Sequence, residues 1–478
     1  MIQIARAFLS VDSRSLPSLF PVPLLPHALG TPVSSPRTAP WPLVAVFTAG
    51  YLASYLLPTT VGRLDASLPL TATQAGSVGS ALLLSSATAG FLLASRVERL
   101  GVRRTARAGL LLAVAGYGLA AVSGSVPAVV AGAVLGGLGS GTATTVAATG
   151  IAALRDPHRG STLGLLSVSA LAGALYLTVP HLGPGHGLPF AALALTALLV
   201  WPATARLGGT SAAGHTAAPA GRLPYRRPGL VLAAAMLCWS MAQNSLWGVS
   251  SRIGTEQAGL SEVTVGAVFA IALGAGLVGV LGAGALGARL GRALPIGVGT
   301  ALIAGSVLVS ARADGLAGFA GGEIAWNTLY PIVLSYLMGL AASLDPRGRW
   351  AVLAGSASSL GTACGPLAGS LLSAAAGYPG MGLTLAALLL ALALPLAAVA
   401  LHTGGRPLLP GAVRRRGGTP VAVLAATAGA PTGTVPEVGA PEQPVVEIEV
   451  ETRAADRREY GTAGPQLTAA APGPAAEG

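Results

Sequence analysis

The sequence contains no lysine; all 28 of its basic residues are arginine. A Gly-x-x-x-x-Gly-Lys phosphate loop needs that lysine to reach the nucleotide phosphates, so direct drive by ATP is not expected. Charge of either sign is scarce, at 9% of 478 residues, where a soluble domain carries roughly 25%. So few charges cannot cover a surface that faces water. The two cysteines, Cys238 and Cys364, lie singly in apolar runs, and the six histidines show no ligand spacing. No disulfide framework, metal site or cofactor is therefore expected. The net charge of +11 comes from short arginine clusters scattered between apolar runs. Without a basic domain or an aromatic-basic platform, nucleic acid is not an expected partner.

What the chain has instead is apolar length. Hydrophobic residues make up 52% and the mean hydropathy is +0.68, which points to an integral membrane protein in a lipid bilayer. Apolar stretches of spanning length, about 17–25 residues, recur twelve times: 42–61, 73–95, 105–124, 126–152, 162–180, 187–205, 229–250, 263–287, 293–310, 316–341, 351–374 and 381–401. The expected fold is all-α, twelve transmembrane helices in two pseudo-symmetric six-helix bundles, residues 41–206 and 229–402. A Gly/Ala/Pro-rich linker, 207–228, separates them. Residues 1–40 read as a disordered tail and not a signal peptide, because prolines interrupt their apolar part. Residues 403–478, with ten of the 35 prolines, read as a second disordered tail, including the alternating "VVEIEVE".

The loops after helices 2, 4, 6, 8 and 10 hold most arginines of the helical region, and each other loop holds one or none. Short cytoplasmic loops accumulate positive charge, so both termini and the linker are expected in the cytoplasm, with the protein multi-pass in the plasma membrane. The halves also repeat. A shift of 190 residues aligns Leu70, Gly76, Arg99, Leu100 and Gly101 with Leu260, Gly266, Arg289, Leu290 and Gly291. A shift of 189 aligns Asp156-Pro157 with Asp345-Pro346. Such placement is that of parallel transporter repeats.

The loop after helix 2 reads ASRVERLGVRR. Its Ala94, Glu98, Arg99, Gly101, Arg103 and Arg104 resemble the Gly-x-x-x-Asp-Arg-x-Gly-Arg-Arg signature of the major facilitator superfamily, with one residue inserted before the last arginines. Gly284 to Arg292 (GALGARLGR) repeats it after helix 8. The resemblance covers about residues 42–402 and implies a secondary transporter that works by alternating access. Two departures stand out. The family's helix-4 arginine, implicated in proton coupling, is Ala133 here, and the Gly-x-x-x-Gly-Pro of its drug antiporters is missing from helix 5. Helix 11 instead carries GTACGPLAG, a pattern suited to close helix packing.

The polar and aromatic residues concentrate in helices 1, 4, 7 and 10, the positions that line the central cavity in that family. At 100° per residue, Tyr51 and Tyr55 share an arc of helix 1 with Thr48, Ser54 and Pro58. Trp239, Gln243 and Trp247 share one in helix 7, with Asn244 beside it. Helix 4 offers Thr145, and helix 10 offers Trp326, Asn327 and Tyr330. A polar stripe is costly in lipid, so these ten residues are the expected substrate cavity. Trp41, Trp201 and Trp350 sit near span ends as interfacial anchors. The run Glu98, Arg99, Gly101, Arg103 and Arg104, with Arg289 and Gly291, is the expected conformational latch.

Glu323 is the one acidic residue inside the twelve stretches as bounded above. Asn327 and Tyr330, sharing its face, are its expected partners. A carboxyl there can take up a proton from one side and release it on the other, or pair with a cationic substrate. The expected function is a monomeric, proton-coupled secondary transporter of a small organic solute, and not an enzyme. The rivals are a membrane enzyme acting on lipids, for which Asp65, Asp156, Glu262 and Asp345 are too isolated, and a transporter-like sensor.

Overall fold

A computed structural model describes residues 40–404, apart from 155, 209–222, 287–289 and 346. The two expected tails lie almost wholly outside the described residues, as do most of the linker, Arg289 and the side chain of Glu98. Among the described residues there are helices and turns and no strand. In hydrocarbon each backbone N–H and C=O must be satisfied inside its own segment, and a helix does so.

Twelve spans follow in order. Span 1 is Trp41–Tyr55 continued by Leu57–Ser67 after a 48° bend. Spans 2 to 5 are Ala72–Leu93, Val102–Val122, Val126–Ala152 and Pro157–Leu182. Span 6 is Gly187–Val200 with a 3-10 turn, Trp201–Arg206, and span 7 is Arg226–Arg252 with a π turn, Ile253–Gln257. Spans 8 to 10 are Glu262–Leu286, Ala293–Ala311 and Leu316–Ser343. The last helical run, Arg349–Gly404, has 56 residues and breaks at Gly377 (φ 68°, ψ 172°). At 1.5 Å per residue it is about twice too long for one crossing, so the break divides it into spans 11 and 12. Spans 1 and 7 outrun the expected 42–61 and 229–250, because charged residues end an apolar stretch without ending a helix.

The two halves pack alike. Span 4 lies against spans 1, 2 and 3, span 1 against 5, and span 3 against 6; span 10 lies against 8 and 9, and span 7 against 11. Span 9 meets span 12 where Gly382 faces Ala311 and Gly297 faces Ala397. Large apolar side chains such as Leu111, Leu199, Leu281 and Leu394 remain exposed on the outside, the surface a bilayer covers. The loop glycines of the repeat share a positive φ: Gly101 has φ 90° and Gly291 φ 66°. A Cβ at Gly101 would meet nothing within 4 Å, so this glycine serves the left-handed backbone and not a tight contact. The aspartates of the repeat bind the turns that lead into spans 5 and 11. Asp156 accepts from Arg159 N–H at 2.9 Å, and Asp345 from Arg347 N–H at 3.2 Å. Burial would raise the Asp345 carboxyl, but the Arg349 guanidinium and these N–H groups bring it below its usual value.

Small residues set the depth of contact within each half. In span 11, a Cβ on Gly361, Gly365 or Gly369 would lie 2.1, 2.5 or 2.2 Å from atoms of Leu237, Asn244 or Ser245 in span 7, so GTACGPLAG is a packing stripe. Ala133 is buried among the glycines that bring span 4 onto span 3. Trp350 is no interfacial anchor: it is 1% exposed, covers Gly229, and donates its indole N–H to the Pro224 carbonyl at 2.7 Å.

The same substitution at two glycines should separate packing from propensity. A Cβ at Gly139 would fall 2.3 Å from the Ala113 nitrogen, whereas at Gly118 it would meet nothing within 4 Å. Gly139→Ala should destabilise by about 1–3 kcal/mol, as overpacking does, seen as a lower unfolding temperature in detergent. Gly118→Ala should be neutral or slightly stabilising; equal shifts would contradict the packing assignment.

Candidate functional site

The bend of span 1 begins the site. Pro58 has no N–H to give to the Ser54 carbonyl four residues back, so the helix turns there and the carbonyl is freed. Trp247 of span 7 donates its indole N–H to that carbonyl at 3.1 Å. Tyr176 of span 5 likewise reaches the Tyr55 carbonyl at 2.5 Å. Between these groups, at mid-depth, lies a cavity of about 140 Å³. Tyr51 and Tyr55 of span 1, Asn244 and Trp247 of span 7, and Trp326, Asn327 and Tyr330 of span 10 border it. Trp247 and Trp326 stack at 5.5 Å, and Tyr330 lies 5.8 Å from Trp326.

Three of the ten expected cavity residues do not border it. Trp239 is 0% exposed and stacks behind Tyr330 at 5.3 Å. Gln243, also 0% exposed, accepts the Trp326 indole N–H. Thr145 is turned back, donating to the Gly141 carbonyl at 2.7 Å. The first two form a second layer that fixes the cavity rings. Ser54, Ser169 and Thr362 border the cavity without having been singled out for it; each is a lone small hydroxyl, and only the arc of helix 1 hinted at Ser54.

Glu323 is 0% exposed and lies one helical turn before Asn327, behind the cavity wall. Its Oε1 accepts from Ser250 and from Ser310, both at 2.8 Å. Its Oε2 has no hydrogen-bond partner among the described residues. The expected partners differ: Asn327 donates to the Glu323 backbone carbonyl at 3.0 Å, and Tyr330 stacks with Trp239. Buried oxygens are almost always satisfied, so the free Oε2 marks this carboxyl as a functional candidate.

The extended spans 1 and 7 carry charges that the apolar stretches had left in loops. Arg63 and Arg252 are each 3% exposed. Arg63 pairs with Glu262 of span 8 at 2.8 Å, and Arg252 pairs with Asp65 of span 1 at 3.4 Å. Asp65 and Glu262 are thus not isolated. The two pairs cross the bundles with opposite polarity, beside a polar cavity of about 560 Å³. Glu323 is therefore not alone as a buried charge bearer. The expected latch behaves otherwise: Arg99, Arg103 and Arg104 are exposed, with no salt bridge among the described residues.

Among the described residues, the hydrogen bonds, ion pairs and glycine approaches that join the bundles lie on one side of the cavity. Besides the two ion pairs and Trp247 to Ser54, the Leu367 N–H donates to Ser80 at 2.9 Å. A Cβ on Gly76 would lie 2.7 Å from the Pro366 carbonyl oxygen, and one on Gly266 2.2 Å from that of Tyr176. These glycines are repeat partners, so span 2 on 11 and span 8 on 5 form matching seams. All of this falls toward the arginine-poor end.

Two repeated six-helix bundles around a mid-depth cavity define a polytopic membrane transporter of the two-bundle type. The chain belongs to the Major Facilitator Superfamily, whose profile matches residues 42–346. Among solved structures it is similar to the human organic anion transporter MFSD10 (TETRAN), with a TM-score of 0.54 and 19% identity over 76% of this chain and 100% of that one. It is also similar to FucP, a transporter of the same superfamily in the outward conformation, with a TM-score of 0.50 and 18% identity over 76% of this chain and 98% of that one. At these identities the likeness is one of fold. No curated protein sequence matches the chain.

Cysteines introduced at Asn327 and Thr362, in a background without Cys238 and Cys364, should react with a water-borne thiol reagent. Cysteines at Trp239 and Gln243 should react at least about tenfold more slowly, since exchange there requires local opening. Equal rates would contradict the two-layer arrangement.

Proposed function

We propose that the chain moves a small organic solute across the plasma membrane by alternating access, with a proton exchanged at Glu323. The observation that carries this reading is the one-sided seam: bundle-to-bundle contacts close the arginine-poor end of a central cavity. On the positive-inside rule the arginine-rich loops, both termini and the 207–228 linker are cytoplasmic. The conformation described then faces the cytoplasm, and its crossed ion pairs form the outer gate. Opening that gate separates Arg63 from Glu262 and Asp65 from Arg252, and exposes the cavity outside. The loop after span 2, with its positive-φ glycine, would supply the corresponding latch on the cytoplasmic side.

A coupling group is needed because the family's helix-4 arginine is absent. Glu323 is placed for that role. It sits on the cavity-lining span 10, held to spans 7 and 9 through Ser250 and Ser310, so rearranging those spans changes the surroundings of its carboxyl. Moving between a closed wall and a water-filled path changes what that carboxyl can exchange a proton with. A proton can thus be bound in one state and released in the other. The unit that performs this is a monomer.

The test is flux in proteoliposomes with and without an imposed pH gradient. Glu323→Gln keeps an oxygen for Ser250 and Ser310 but cannot titrate. It should abolish gradient-driven accumulation while solute exchange persists. Accumulation equal to that of the parent across roughly pH 5 to 8 would make the carboxyl structural.

A further inference from the structure

We infer that the central cavity takes a monovalent organic cation with a flat aromatic body, a substrate class that rests on the transport reading above. The inference comes from which polar atoms the cavity has left to offer. Both indole N–H groups at its edge are already used: Trp247 donates to the Ser54 carbonyl at 3.1 Å, and Trp326 donates to Gln243. The carboxamides are committed in the same sense. Asn244 gives its Nδ2 hydrogens to the Ser240 carbonyl at 2.9 Å and to Thr362 at 3.2 Å. Asn327 gives one to the Glu323 carbonyl at 3.0 Å. Their Oδ1 atoms accept no hydrogen bond among the described residues, so each side chain presents an acceptor.

The rest of the wall agrees. Tyr51, Tyr55, Trp247, Trp326 and Tyr330 bring five π systems around the space, and no residue that borders it carries a formal charge. Aromatic faces are electronegative and attract cations. The nearest carboxyl is that of Glu323, on the turn of span 10 that precedes Trp326 and Asn327. An organic anion would meet no guanidinium, no imidazole and no uncommitted indole N–H; one Asn327 N–H and the wall hydroxyls are the neutral donors left to it. Neutral donors replace part of its hydration and supply no charge to pair with it. A cation meets rings and amide oxygens, with the Glu323 carboxyl one helical turn away behind the wall. The size is also limiting: an engineered cavity of roughly 150 Å³ holds one benzene, and this one is about 140 Å³. The body should therefore be a single ring or a little more.

Three probes of one shape class separate the possibilities: benzyltrimethylammonium, phenylmethanesulfonate and benzyl alcohol. Binding to the full chain in lipid nanodiscs is measured by calorimetry, and flux of the same probes in proteoliposomes. The cation should bind at least about tenfold more tightly than the anion or the alcohol, which corresponds to about 1.4 kcal/mol. Trp326→Leu should weaken it by a similar factor, and Trp326→Phe, which keeps a ring, should weaken it less. Glu323→Gln should reduce cation binding and leave benzyl alcohol unchanged. Anion or alcohol binding as tight as that of the cation, or no binding of any probe, overturns the inference. Flux distinguishes this from the transport reading. An anion that is bound and carried refutes the cation class and leaves transport standing. A cation that is bound and never carried supports the class and refutes transport.

Discussion

Hydrocarbon offers no hydrogen bond, and that constraint shapes the molecule from the backbone outward. It forces the chain into helices and lets two helices meet closely only where small residues leave the backbone bare. It also requires each buried polar side chain to find a partner within reach. Thr144 and Thr145 fold back on their own helix, and Tyr117 of span 3 finds Ser140 of span 4. Against this background seven buried side-chain atoms lack a partner among the described residues, and three of them belong to charge-bearing groups: Oε2 of Glu323 and the Nε atoms of Arg63 and Arg252. All three lie in or beside elements that a rearrangement of the two bundles would disturb.

The same constraint separates what is fixed from what can open. Within each half, contacts such as Gly116 on Gly136 and Gly361 on Leu237 are backbone against backbone, which no small motion can replace. Between the halves the seam holds a few side-chain hydrogen bonds, two ion pairs beside a polar cavity, and glycine contacts confined to one end. An ion pair that water can reach is weak when exposed and can exchange protein for solvent partners on opening. In the transport reading proposed above, the bundles move as rigid units and the seam is the part that opens.

Much of this was legible in the sequence, because the span count follows from the length a bilayer demands and the repeat from matched loop glycines. The arcs of helices 1, 7 and 10 brought Tyr51, Trp247, Trp326 and Asn327 to one cavity, since 100° per residue holds along a straight helix. Depth was not legible. Trp239 and Gln243 share the arc of Trp247, yet the register that span 11 imposes through Gly361, Gly365 and Gly369 puts them behind the wall. The ion pairs were hidden for another reason: Arg63 and Glu262 are 199 residues apart in sequence, and nothing local records their meeting. Arg63 and Asp65 read as loop residues only because charge was taken for the end of a helix.

The proposed pivoting of two rigid bundles is tested most directly by paired spin-label distances at both ends of the molecule. In a variant without Cys238 and Cys364, one pair sits at Ala66 and Ser261 beside the crossed ion pairs. The other sits at Leu100 and Leu290, exposed repeat partners on the arginine-rich face. Each should give two populations whose shifts are opposite: where the first pair lengthens the second shortens, with a change of pH moving both together. Distances that stay single at both ends, or that lengthen and shorten in parallel, would contradict the account.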